Sequence, residues 1–67
     1  MVVNINGKQY RFDKSLTIEE VLKELNVQQT QGIAVALNDT VVSKSHFSEL
    51  NIKNGDRLEI IHAVAGG

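Results

Sequence analysis

One stretch of this chain carries the apolar spacing of a helix, and it constrains everything around it. In "TIEEVLKELN", Ile18, Val21, Leu22 and Leu25 fall at i, i+3, i+4 and i+7 and so share one side of a helix. Thr17 is placed to cap it, Glu20 three residues later completes a capping box, and Asn26 suits a left-handed stop. Glu19 and Lys23 form a correctly oriented i, i+4 pair on the exposed side. A chain of 67 residues buries only roughly 60% of the surface its unfolded form exposes. The apolar stripe of this helix must therefore meet one compact partner surface, with little left over for a deep pocket.

The remaining apolar residues alternate, as a pleated surface requires. "VVNI" and "KQYRF" are joined by Asn6-Gly7, a two-residue hairpin signal because both positions tolerate positive φ. Val3 and Ile5 share a face in the first arm, and Tyr10 and Phe12 share one in the second. "IAVALN" sets Ile33, Val35 and Leu37 against Ala34 and Ala36, and Asn38-Asp39 turns the chain into the short strand "TVVS". "SKSHFSEL" offers a cap at Ser45 and apolar Phe47 and Leu50 three apart, enough for about one helical turn. After a turn at Asn54-Gly55-Asp56, "RLEIIHAV" is the last strand, with Leu58, Ile60 and Val64 facing inward. The expected order is strand, strand, helix, strand, strand, helical turn, strand. This is an α+β fold, a single domain over residues 1–67 with a mixed sheet of four to five strands and one main helix packed across it.

Composition removes several function classes. The absence of cysteine excludes a disulfide framework, a thiolate metal site and a CxxC redox motif. Seven Lys or Arg against eight Asp or Glu, a net charge of -1, give no electrostatic footprint for nucleic acid or an anionic membrane. No run approaches the ~18 apolar residues of a membrane span, and "MVVNINGKQY" lacks the features of a signal peptide, so a cytoplasmic location is expected. His46 and His62 lie far apart without metal-ligand spacing, and Ser45 beside His46 lacks the orientation a catalytic triad needs. "NGK" and "NGD" sit between strands rather than at a helix start, which makes them turns and not phosphate-cradling loops.

The stretch "HAVAGG" carries the functional signal. Without Cβ atoms, Gly66 and Gly67 pass through a narrow channel, and the last carboxyl carbon is not crowded by a side chain. A carboxylate ionised at neutral pH is a poor electrophile and needs activation, most directly as a mixed anhydride with AMP made from ATP. Nothing in this chain suits ATP, so a separate enzyme is expected to thread the tail, Val64, Ala65, Gly66 and Gly67, into its own site. A frayed end without chemistry is the alternative on the diglycine alone.

The segments "VNINGKQYRF", "TIEEVLKELN", "IAVALNDTVV" and above all "NGDRLEIIHAVAGG" resemble the ThiS sulfur carriers of thiamine biosynthesis, small ubiquitin-like β-grasp proteins. The resemblance covers the whole chain. It implies that a ThiF-type adenylyltransferase, using ATP and magnesium, adenylates Gly67, and that sulfur from a donor such as cysteine desulfurase converts it to a thiocarboxylate. Thiazole synthase then receives the sulfur. The carrier itself is no enzyme and binds no cofactor or metal. The chain departs from a common family pattern, Val-Pro-Arg-Ser followed by Trp: here the residues are "VSKS" with Phe47 in the aromatic place, and Lys44 lacks the planar fork of Arg.

The same resemblance implies docking through the outward face of the last strand, at Ile61 and Ala63, which alternate with inward Leu58 and Ile60. Three other readings share the fold: the small subunit of molybdopterin synthase, a ubiquitin-like protein modifier joined to substrate lysines, and a plain interaction domain.

Overall fold

The computed structural model describes residues 1–27 and 32–62. Strands β1 (Val2–Ile5) and β2 (Lys8–Arg11) form an antiparallel hairpin, with Val3 opposite Tyr10 and Ile5 opposite Lys8. Asn6 at φ 52° and Gly7 at φ 83° both take the left-handed conformation that this turn needs. β3 (Leu16–Thr17) leads into α1 (Ile18–Glu24), and β4 (Ile33–Leu37) turns through Asn38 and Asp39, again both left-handed, into β5 (Thr40–Val42). A single 3₁₀ turn (Lys44–His46), β6 (Asn51–Ile52) and β7 (Arg57–His62) complete the described chain.

The main sheet has the order β2-β1-β7-β4-β5, so the last strand is the central one. β7 runs parallel to β1 through Asn4↔Arg57 and Ile5↔Leu58, and antiparallel to β4 from Leu37↔Leu58 to Ile33↔His62. The expected mixed sheet is thus five-stranded. α1 covers its inner face, where Ile18, Val21 and Leu22 meet Val3, Val35 and Leu58, all almost wholly buried. Among the described residues no polar or charged side chain is buried, so the core rests on apolar contact alone. Tyr10 and Phe12, on one face as the sequence predicts, stack 6.4 Å apart at 9° and pack against this core.

The capping box is complete. Glu20 N donates to Thr17 Oγ1 at 3.2 Å and Thr17 N donates to Glu20 Oε1 at 2.9 Å. The other free N–H groups of the first turn are met from across the fold: Ile18 N donates to Leu50 O and Glu19 N to Phe47 O, each at 3.0 Å. At the far end Val27 N donates to Leu22 O and Asn26 N to Lys23 O, a Schellman ending around Asn26 at φ 58°.

Two expectations change. The residue flanking the 3₁₀ turn is Ser43, not Ser45, and its side chain makes no capping bond; the two hydroxyls lie 3.1 Å apart. The turn is too short to bury two side chains on one face, so Phe47 enters the core while Leu50 stays at the surface and contributes its carbonyl to α1. The pairing of β3 with β6 was not apparent in the sequence. It brings Leu16 opposite Ile52, both buried, and closes the open side of the core.

Replacing Thr17 with Ala should destabilise the fold by about 1 kcal/mol, the usual loss for a helix cap, measured by urea denaturation. The Thr17 main-chain N–H, with smaller help from its hydroxyl and from Lys14 and Lys23, holds the Glu20 carboxyl below its ordinary value of 4.5. A depressed folded value stabilises the protein above the unfolded value, and that contribution disappears as pH falls through the folded one. Glu20→Gln keeps an acceptor for the capping box but does not titrate. The melting-temperature gap between it and the wild type should therefore narrow as pH is lowered below 4.5, whereas a constant gap would show that the ionised form contributes nothing.

Candidate functional site

The site grows from the position of β7. A strand held on both sides has only its faces to offer, and alternation decides what each presents. Leu58 and Ile60 point into the core, 0% and 8% exposed, whereas Ile61 points outward at 56%. Ile61 thus lies on the outer face, as alternation in the sequence predicts. Ala63, Val64, Ala65, Gly66 and Gly67, the rest of the candidate site, lie outside the described residues.

Register gathers further apolar residues beside Ile61. Ala34 lies opposite it on β4; Ala36 lies opposite Glu59 on one side and Val41 on the other. Val41, at 76%, is the most exposed large apolar side chain among the described residues. The two alanines form a low floor between Ile61 and Val41, leaving both side chains standing above the sheet. This arrangement suits the insertion of two apolar side chains into shallow sockets of a partner. The turn signal at Asn38-Asp39 was enough to reveal Val41, because it fixes Ala36 opposite Val41 and therefore on the outer face.

Charges border the patch at the start of β7. Arg57 and Asp39 form an ion pair at 2.7 Å, and that hydrogen bond raises the Arg57 pKa above its ordinary value. Both side chains are largely in water, so the pair marks an edge more than it holds the fold together. Glu59 lies on the same outer face between them and Ile61.

Two asparagines fasten β7, a role the sequence reading assigned only to turn geometry. Asn38 N donates to Arg57 O at 2.8 Å and Asn38 Oδ1 accepts from Arg57 N at 2.9 Å. On the other flank, Asn6 N donates to Leu58 O at 3.0 Å, Asn6 Oδ1 accepts from Ile60 N at 2.8 Å, and Asn6 Nδ2 donates to Ile60 O at 3.2 Å. The Asn6 carboxamide stands in for the peptide group of a neighbouring strand, and the Asn38 carboxamide supplies the acceptor half of one.

The other candidates do not converge. His46 lies in the 3₁₀ turn and His62 at the end of β7, both exposed, and the Ser45 hydroxyl faces Ser43. Among the described residues no three His, Asp or Glu side chains gather as a metal site would require. A shallow groove of about 240 Å³ beside α1 is lined by Lys14, Leu16, Glu20, Lys23 and Glu24, a mixture without a nucleophile held by a base. No helix among the described residues is long and apolar enough to cross a membrane.

Comparison with known proteins bears on this arrangement. The ThiS thiamine biosynthesis protein of Geobacter metallireducens has the same fold, with a TM-score of 0.86 and 33% identity over the whole of both chains. That match bears out the β-grasp fold expected from the sequence. The thiazole synthase of Paramagnetospirillum magneticum is 37% identical over 67 residues, which are 100% of this chain and 20% of that protein. The chain likewise spans 20% of the thiazole synthase of Magnetococcus marinus, at 27% identity. The sulfur carrier protein ThiS of Escherichia coli aligns over the full length of both chains at 25% identity. The ThiS family model matches residues 3–67, and this chain belongs to the ThiS family.

Proposed function

We propose that this chain is a sulfur carrier for building the thiazole of thiamine, with the carboxylate of Gly67 as its reacting group. The observation that supports this most directly is the end-to-end similarity to a protein named as a sulfur carrier, reaching the final residue of the chain. The similarity to one fifth of two thiazole synthases supports the thiamine branch over the molybdopterin one.

The chemistry takes place in partner enzymes. A carboxylate with a pKa of about 3.5 is ionised at neutral pH and resists attack by sulfur nucleophiles. In a ThiF-type adenylyltransferase, one oxygen of the Gly67 carboxylate attacks the α-phosphorus of ATP bound with magnesium, and pyrophosphate leaves. The acyl-adenylate carbon is then attacked by the terminal sulfur of a persulfide supplied by a donor such as cysteine desulfurase, AMP departs, and a thiol reductant cleaves the S–S bond of the resulting acyl disulfide to leave a thiocarboxylate. Thiazole synthase takes the sulfur from it. The carrier acts throughout as a protein co-substrate: the sheet docks, and Val64, Ala65, Gly66 and Gly67 carry the carboxylate to the reacting centre. Ile61, with Ala34, Ala36 and Val41 around it, forms the docking surface, and Ala63, two positions further in the sequence, is taken to extend it.

Intact mass after incubation with a ThiF-type enzyme, ATP, magnesium and a sulfide source tests the reaction. The expected gain is the replacement of one oxygen by sulfur, absent when Gly67 is deleted. An isopeptide adduct would instead make the chain a protein modifier, and no change beside an active control carrier would leave it a binding domain. Ile61→Asp tests the docking face. Because Ile61 is 56% exposed, the variant should keep its melting temperature. The KM for the carrier in adenylation should rise by about tenfold, equivalent to ~1.4 kcal/mol of lost docking; an unchanged KM would move the docking surface elsewhere.

A further inference from the structure

We propose that Asn6 is a positioning residue for the reaction at Gly67, fixing the direction in which β7 leaves the sheet. The proposal rests on the carrier reading above and adds a residue far from the tail in sequence.

The argument begins with unequal strands. β1 ends at Ile5, whose parallel partner is Leu58, whereas β7 continues to His62. On the β4 side pairing persists to the end, at Ile33↔His62. On the β1 side the main-chain groups of Asp56, Leu58 and Ile60 point in turn toward the hairpin: Asn4 N donates to Asp56 O, Asn6 N to Leu58 O, and Ile60 meets the Asn6 carboxamide. Asn6 therefore ends the β1 ladder with its backbone and extends it by one more step with its side chain. Alternation next turns the main-chain groups of His62 toward that flank, immediately before residues 63–67.

The position makes three demands, and asparagine meets all of them. The backbone is left-handed at φ 52°, which asparagine tolerates better than most residues. The Ile60 N–H needs an acceptor and the Ile60 carbonyl needs a donor, and one carboxamide orientation supplies both. The side chain must also be short enough to remain beside its own turn. Aspartate lacks the donor and glycine lacks both groups, although each suits the turn.

The functional consequence follows from position. Among the described residues Ile60 is the last of β7 held from the β1 side, so the Asn6 carboxamide sets the direction in which the strand approaches residues 63–67. On the carrier reading, misplacement of a reacting atom by about an ångström lowers rates by about 100-fold in demanding cases. Docking through Ile61 and Val41 does not involve Asn6, because those side chains rise from the β7, β4 and β5 side of the outer face.

The test compares wild type, Asn6→Gly and Asn6→Asp as substrates of a ThiF-type enzyme in ATP–pyrophosphate exchange, alongside hydrogen exchange at the Ile60 amide. Turnover of wild type confirms the carrier reading independently; without it that reading fails, whatever the variants do. Asn6→Gly keeps the left-handed turn and is expected to exchange faster at Ile60, with KM within about twofold of wild type and kcat lower by about tenfold. Asn6→Asp should show the same kcat loss at neutral pH. It keeps an acceptor for the Ile60 N–H but sets a carboxylate against the Ile60 carbonyl, so its kcat relative to wild type should recover as the introduced carboxyl is protonated at low pH and can again donate to that carbonyl. Faster exchange at Ile60 with kcat unchanged in both variants would reduce Asn6 to a turn residue, and a rise in KM alone would make it part of the docking surface; either result overturns the proposal.

Discussion

The fold depends on how β7 is held. It is the central strand of the five, parallel to β1 and antiparallel to β4, and it brings residues 57–62 through the middle of the sheet. A parallel pair formed between the two ends of a chain closes nearly the whole chain as a loop, so it forms only after the segments between have compacted. The core beneath it is accordingly apolar without exception among the described residues, and Leu58 lies at its centre, fully buried. The asparagine bonds on either flank then fix β7 lengthwise. Asn38 holds its beginning at Arg57 and Asn6 holds Ile60 near its end. The Asn38 carboxamide also donates to Asp56 Oδ1 at 3.1 Å, and Asp56 Oδ2 accepts from Lys53 N at 2.8 Å, so the turn before β7 is stiffened as well.

This explains which parts of the fold were legible in the sequence. The helix was readable because its signals are local and agree with one another: spacing, capping box, ion pair and left-handed stop all lie within ten consecutive positions, Thr17 to Asn26. The two hairpins were readable because Asn6-Gly7 and Asn38-Asp39 require backbone angles that few residues accept, and all four positions have positive φ. β3 and β6 left no comparable trace. Each is two residues long, too short for alternation to appear, and their pairing joins positions such as Leu16 and Ile52 that have no local relation. The same brevity misplaced the cap at Ser45: in one turn of 3₁₀ helix the neighbouring serines differ little, and the chain entering from β5 decides between them.

The site was legible in a similarly divided way. Ile61 followed from simple alternation against Leu58 and Ile60. The patch around it depended on which strands flank β7, and the order β1-β7-β4 is a tertiary fact that no single segment encodes. Asn6 shows the limit most clearly. Its role as a turn residue was evident from the following glycine, yet its side chain acts on a residue 54 positions away. Local grammar explains its backbone and says nothing about its carboxamide.

The outer face also bears on how a carrier can serve more than one enzyme. On the proposed reading the same strand end must visit an adenylating enzyme and a synthase, and one tail cannot occupy two active sites together. Binding to each must therefore be readily reversible, which argues for a small contact and against a broad one. Ile61 and Val41 over an alanine floor match that need: two prominent side chains supply the anchors, while Ala34 and Ala36 add shape without much area. The Arg57–Asp39 pair at the border can guide approach without contributing strongly to affinity, because exposed charges act mainly on encounter. A larger apolar face would dock more tightly and release more slowly. Since release precedes every transfer of the tail to the next enzyme, on that reading a patch of two anchors over alanines is what would let one small sheet serve successive partners.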